Sequence, residues 1–579
     1  MQIEIKSLAR SRLSVVAGVI ILLGTTACST TNNNVTKTDS VLIQPQAETS
    51  QKSIDKDDLY EFLVADLSTQ RQNHAQATNN YYNLARRNQN VTLAELAFRS
   101  AMQTGDRAKA RQALELWSNI DPEDERAAAT ITQLYLGDKQ VDEAYTKVKQ
   151  IRDARSKEEG KGFTYVARLL AGSRQRQEAM EVMNRLVADY PQDLDAAFAK
   201  SYLAAQFGQY QVAEVALEPV LQSRPKDQQV ILQKTLVLRR LEKNDEASKF
   251  LADAVDAQPN NFDLRSTYAR ILLDAERYEE ALEQYKRLAE LNPENEEVIF
   301  AAGLISLQLQ QVDDAETQFM ALYNRGSVNP DVFYNLARIA EVREDIDAAL
   351  RWYAQVSGGQ NYPEAQIRIA VLTALQGDIA TARAQLGVLR TNIPAMALQT
   401  QLTEGGLLQD AGRYDEAIAV YTEALKNNPR NTQLLYSRSL AYAQLDLFDL
   451  FEADAQAILA VDPNNADALN ALGYYLADST DRYEEAEGYI KRALELKGES
   501  HFILDSYGWL QFRLGNYDEA LSYIRRALEI QADTEISAHL GEILWAKGEK
   551  EEARRVWREA FKLDPENKVL KEVMQRFGL

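Results

Sequence analysis

The sequence predicts an all-α protein, a right-handed superhelical solenoid of about fourteen helix-turn-helix repeats, and three observations lead there. First, one small residue recurs at steps close to 34: Ala110, Ala144, Ala179, Ala213, Ala247, Ala281, Ala315, Ala349, Ala382, Ala417, then Ala486, Ala520 and Ala553. Second, proline falls at matching points of that step, as in NIDP ending at Pro122, ELNP at Pro293, KNNP at Pro429, AVDP at Pro463 and KLDP at Pro565. Third, only 13 Pro and 25 Gly occur in 579 residues, which favours regular elements joined by short turns. A unit of this length cannot bury its own apolar face, so neighbours must stack, and the stack winds around a concave groove.

Each element of a unit has a local cause. In GRYDEAIAVYTEALKNNP (Gly412 to Pro429), Gly ends the first helix, Tyr414 and Ala417 begin the second, and Tyr421, Ala424 and Leu425 continue its apolar face. Proline then closes the second helix, because it disfavours the helical conformation of the residue before it. Asn or Asp nearby, as in DPEN (Asp564 to Asn567), caps the next helix. These residues match the tetratricopeptide motif, and the resemblance runs through most of the chain. Pro219 lies away from a repeat end and is expected to kink or shorten its helix. One weak unit falls around Phe451 to Ala453, a degenerate one occupies residues 55–90, and the repeat array proper covers 91–579.

The amino terminus reads differently. Lys6, Arg10 and Arg12 precede an apolar run from Leu13 to Leu23, and the small residues of GTTA (Gly24 to Ala27) lead to Cys28, the only cysteine in the chain. Residues 1–27 read as an export signal, since the apolar run is roughly a dozen residues against the ~20 needed to span a bilayer. Ala27 and Cys28 resemble the bacterial lipobox, although Thr25 stands where Leu is usual. That resemblance implies acylation of Cys28, palmitate included, and two or more chains anchor a protein permanently. Ser29 follows where Asp would signal inner-membrane retention, so the same resemblance implies the outer membrane, facing the periplasm. Residues 28–54 are polar and aperiodic and read as a flexible tether.

A net charge of −21 argues against nucleic acid, whose phosphates are neutralised by Lys and Arg. No zinc, acyl-transfer, redox-cysteine or phosphate-loop motif is visible, so neither a metal nor a cofactor is expected and the chain does not read as an enzyme. His74, His501 and His539 are far apart in sequence and each is alone in its repeat. The pairs Glu279-Glu280, Glu484-Glu485 and Glu551-Glu552 recur at the start of second helices, where they complement the helix dipole. Trp509, Phe512, Trp545 and Tyr474 recur in first helices near the carboxyl end. If their register turns them inward, Asn470, Tyr474, Asp505, Trp509, Glu542 and Trp545 form a polar and aromatic strip suited to a peptide or helix. The alternative is that these aromatics only pack between repeats.

The carboxyl third (Ala468 to Leu496, Phe502 to Ile530, Glu535 to Asn567), with Leu59 to Ala77 and Leu93 to Trp117, resembles the long tetratricopeptide outer-membrane lipoproteins of gammaproteobacteria. Members of that group are adaptors that bind a periplasmic carboxy-terminal processing protease and deliver peptidoglycan hydrolases to it. The resemblance implies a protein-binding scaffold with those partners and a role in cell-wall cleavage. Alternatives are an assembly factor or scaffold for a secretin, pilus or polysaccharide export machine, and, from a different class, an enzyme acting on cell-wall glycan or peptide.

Overall fold

Helices fill nearly all of the chain that the computed structural model describes, residues 56–155 and 161–578; the expected signal, Cys28 and the tether lie outside the described residues. Among the described residues there are 31 α-helices and no strand, most of them 13 or 14 residues long. They alternate as first and second members of helical pairs, fourteen of which pack together as hairpins among the described residues, and end in a final helix, Lys568–Arg576. No helix among the described residues is long and apolar enough to cross a membrane. The described helices group into two compact units, divided in sequence between Ala315 and Glu316, inside the helix Val312–Asn324. In each unit, second helices pack on the first helix of their own hairpin and on that of the next.

The recurrent alanine sits where two helices cross most closely. Every alanine of the series is fully buried except Ala110, which is 7% exposed. In the weak unit the ruler position is Phe451 itself, buried with its ring 4.4 Å from Tyr475, while Ala453 is exposed. The first helices carry a matching device that the alanine series does not reveal. A Cβ on Gly405, Gly473, Gly508 or Gly541 would fall 2.3, 2.5, 2.7 or 2.1 Å from Tyr421, Ile490, Ile524 or Trp557 respectively. Those glycines let a large second-helix side chain lie directly on the first-helix backbone.

The proline signals act as expected, with an added regularity. Helices end at Ile120, Leu291, Asn427, Val461 and Leu563, two residues before each proline of the five signals. Two residues after each, Asp124, Asn295, Asn431, Asn465 or Asn567 accepts a bond from the new helix's backbone, as in Leu570 N to Asn567 Oδ1 at 3.0 Å. Each such cap is worth about 1 kcal/mol. Pro219 departs from its expectation: the helix Tyr210–Ser223 keeps 14 residues around it. Buried Ala213, Leu217 and Val220 hold the helix on both sides, and Pro219 is exposed, so any displacement of the preceding carbonyl is relieved toward solvent.

Inside each hairpin the turn requires a left-handed residue, and glycine supplies it only in part. Gly208 and Gly412 have φ of 80° and 70°, but Glu242, Glu276, Gln310 and Glu344 take φ of 61°, 57°, 59° and 60° at the corresponding points. A side chain pays for that conformation with a Cβ clash that glycine avoids. Glu276→Gly is therefore expected to stabilise the hairpin by about 0.5–1 kcal/mol, even after glycine's greater entropy loss. Denaturant midpoints of the four single variants check this; a loss of stability at all four positions would sink it.

Candidate functional site

Three successive first helices, Ala466–Ser479, His501–Arg513 and Thr534–Lys547, and the final helix Lys568–Arg576 follow one another at the carboxyl end. Helical spacing puts Asn470, Tyr474 and Asp478 on one stripe of the first, Asp505, Trp509 and Arg513 on one stripe of the second, and Glu535, His539 and Glu542 on one stripe of the third. The stripes meet. His539 Nδ1 lies 2.9 and 3.1 Å from the two oxygens of Asp505, and its ring stacks on Trp509 with centroids 4.2 Å apart. Tyr474 approaches the same imidazole at 6.2 Å. Trp509 Nε1 donates to Asp478 Oδ1 at 2.9 Å, Arg513 donates to the Asp478 carbonyl and to Tyr483, and Arg576 donates to Glu542 at 2.9 Å.

Of the six residues expected to line a strip, the structure therefore gathers Tyr474, Asp505, Trp509 and Glu542 around His539. Asn470 and Trp545 stand apart. Asn470 is half-buried with Oδ1 lacking a donor. Trp545 packs on Trp557 and Phe577, with ring centroids 5.8 and 5.1 Å away, so this aromatic ring packs between repeats. Sequence reading passed over His539, Asp478, Glu535 and Arg576. The signal was present in the period itself, because Asp505 and His539, and Glu542 and Arg576, are each separated by 34 residues and so lie side by side on neighbouring first helices. The other two histidines have different surroundings: His501 lies against Phe502 at 3.9 Å, and buried atoms His501 Nε2 and His74 Nδ1 have no hydrogen-bond partner.

The electrostatics of this face are unusual for a surface. Burial is the largest influence on His539 and pulls its pKa down, yet the charge and hydrogen bond of Asp505, then Glu542 and Asp478, outweigh it and hold the imidazole above its ordinary range. Partial burial, then Asp533, lifts Glu535 above the usual carboxylate range; burial likewise lifts Glu542, against the pull of Arg576 and His539. Burial, then Asp478, Asp505, Glu535 and Glu542, pushes the Tyr474 phenol well up. Among the described residues no group of three or more His, Cys, Asp or Glu is arranged to hold a metal ion.

The direction of these shifts has a consequence for stability. A group raised in the folded state contributes stability that is complete below its unfolded value and is lost as pH rises through the folded value. For His539 that window opens above 6.5, and for Glu535 and Glu542 above 4.5, so all three loosen this end as pH rises. Amide exchange in residues 534–547 is expected to be slower at about pH 6 than at about pH 8 after correction for intrinsic rates, and His539→Gln to reduce that difference. An identical pH response in both proteins would refute the assignment to His539.

Comparison with known proteins places this architecture. Residues 300–365, 402–459, 452–501 and 508–568 match the family described as tetratricopeptide repeat, and residues 206–288 match the one described as anaphase-promoting complex, cyclosome, subunit 3. The chain is 38% identical over 497 residues to the TPR repeat-containing protein PA4667 of Pseudomonas aeruginosa, with 85% of this chain and 83% of that protein covered. The chain belongs to the tetratricopeptide-repeat family. Solved tetratricopeptide-repeat structures similar to it include a thermophilic protein of Thermus thermophilus, 24% identical, covering 31% of this chain and 100% of that one with a TM-score of 0.29. Another, from Parabacteroides merdae, is 18% identical and covers 42% of this chain and 97% of that one with a TM-score of 0.36. Tetratricopeptide-repeat arrays are scaffolds that bind other proteins, and that is the coarse function of this chain.

Proposed function

We propose that this tetratricopeptide-repeat protein is held at the outer membrane by lipid on Cys28, faces the periplasm, and is an adaptor that binds a carboxy-terminal processing protease and presents peptidoglycan hydrolases to it for degradation. The observation that supports this reading best is the run of fourteen packed hairpins among the described residues, following a single cysteine in lipobox-like surroundings. A chain with that many repeats offers separate stretches for a protease and its substrate, and holding both on one chain raises the concentration at which they meet without any new contact between them. Anchoring through acyl chains confines the encounter to one membrane.

The test is a pull-down of the tagged protein from detergent-solubilised envelopes, with bound proteins identified by mass spectrometry. A processing protease recovered together with peptidoglycan hydrolases is the expected result; secretin, pilus or export components without a protease would replace the adaptor reading. Cys28→Ala, exported in soluble form, is expected to keep binding its partners but to release them from the membrane fraction, and membrane retention of that variant would refute the anchor.

A further inference from the structure

The two ends of the described array are finished differently. A terminal unit needs a polar outer face, because it otherwise shows solvent the surface on which a neighbour would stack. At the carboxyl end the helix Lys568–Arg576 supplies one: it buries Leu570 and Val573 and turns Lys568, Lys571, Glu572 and Gln575 outward. At the other end the helix Lys56–Gln70 packs one side on the helix His74–Asn88. Ala65 and Ser68 are buried there, Phe62 meets the Tyr81 ring edge-on at 6.1 Å, and Arg87 binds Asp58 at 2.8 Å. No second helix precedes it among the described residues, and on its other side Leu59, Tyr60, Leu63 and Leu67 are 46%, 72%, 49% and 48% exposed. Helical spacing sets these four on one stripe centred on Leu63. Together they show roughly 400 Å² of apolar surface, and a patch of that size marks an interaction site.

The stripe is its own complement. Leu59 and Leu67 lie four residues either side of Leu63, so an antiparallel, two-fold pairing sets Leu63 against Leu63 of a second copy and Leu59 against Leu67. The same operation brings the Tyr60 hydroxyl, a donor, opposite the Asp66 carboxylate, and Lys56 to the carbonyl end of the other helix, where a cation is favoured. Asp57, Asp58 and Glu61 lie off the stripe, so the pairing sets no like charges face to face. We propose that two copies of this chain associate through antiparallel pairing of their Lys56–Gln70 helices across Leu63. The two stripes with their polar margins approach the roughly 1,200 Å² of the smallest specific interfaces, so association is reversible and micromolar. An isologous contact closes at two copies and needs no adaptor role.

The probe is the full-length Cys28→Ala protein exported in soluble form, which has no other cysteine. Sedimentation equilibrium between about 1 and about 100 µM is expected to show monomer and dimer in exchange. Leu63→Arg sets two cations on the two-fold axis and is expected to weaken the dimer about tenfold or more. Val215→Arg, at a side chain 75% exposed on the second helix Tyr210–Ser223, is expected to leave it unchanged. Disulfides read the register. Leu63→Cys is expected to cross-link to itself under mild oxidation, whereas Leu59→Cys and Leu67→Cys cross-link when mixed and not when alone. Circular dichroism and thermal unfolding of every variant are expected to match the parent, since each site is exposed; should Leu63→Arg misfold, the cysteine variants decide. A parent that stays monomeric throughout overturns the proposal and leaves the stripe to a different protein or a lipid surface. Equal weakening by Leu63→Arg and Val215→Arg, or self-cross-linking of Leu59→Cys as fast as that of Leu63→Cys, would also overturn it. The adaptor reading stands or falls separately, on the envelope pull-down.

Discussion

Arg438→Met is expected to cost about 3–5 kcal/mol of stability, because it leaves a buried carboxylate without its counter-charge. Arg438 reaches from the first helix Thr432–Ala443 to Asp454 on its partner Phe448–Val461, with Nε and Nη2 at 2.8 and 2.7 Å from the two carboxylate oxygens. The Asp454 side chain is 8% exposed and that of Arg438 17%, so water replaces little of what the substitution removes. A third donor, Nη1, binds Thr422 Oγ1 of the preceding hairpin at 2.9 Å, which ties two hairpins through one side chain. The double variant Arg438→Met, Asp454→Leu is expected to recover most of the loss, since an apolar pair of similar volume needs no desolvation compensation. Hydrogen exchange across residues 432–461, read beside a urea unfolding curve, measures both. A single variant within about 1 kcal/mol of the parent would mean that water reaches Asp454 freely.

Gly541→Ala is the second large effect, and its sign depends wholly on place. The new methyl would sit 2.1 Å from Trp557 Nε1, where no Cβ can remain, and Trp557 is fully buried with its indole donating to the Ala538 carbonyl at 3.1 Å. Trp557 also stacks on Phe577 at 5.1 Å and lies 5.8 Å from Trp545, so displacing it unpacks the last hairpin and the final helix together. Overpacking of this kind costs about 3 kcal/mol, and in a repeat array the loss is felt first by nearest neighbours. Gly488→Ala is the control: it lies inside the helix Tyr483–Leu496 with nothing within 4 Å of the added carbon, and is expected to stabilise by about 0.5–1 kcal/mol. Exchange in residues 534–576 separates the two, and equal effects from both substitutions would show that the close approach of Trp557 does not matter.

The two substitutions illustrate how legible this chain is. Gly541 and Gly488 look alike in sequence, both inside helices, and only the crossing of two helices tells them apart. The buried pair Arg438–Asp454 was equally invisible, because charged residues are common on every helix of the chain and their burial is a property of the partner helix. His539 is the clearest case: its isolation in sequence argued for a bystander, whereas a 34-residue separation from Asp505 places the two side chains in contact. Period alone contained that pairing, but only for a reader who already compared first helices with first helices.

What the sequence determined by itself is the periodic part of the structure. The proline stops and the Asn or Asp caps act over four residues or fewer, through sterics and hydrogen bonds that need no distant partner, and the alanine ruler acts at a helix crossing that its period makes legible, and so the hairpins follow from the chain itself. Tertiary structure decided the rest: which glycines admit an indole, which carboxylates lose their water, and which of six candidate residues converge on one imidazole. Those depend on surfaces brought together from separate repeats, where desolvation and close packing set the energies and no local pattern records them.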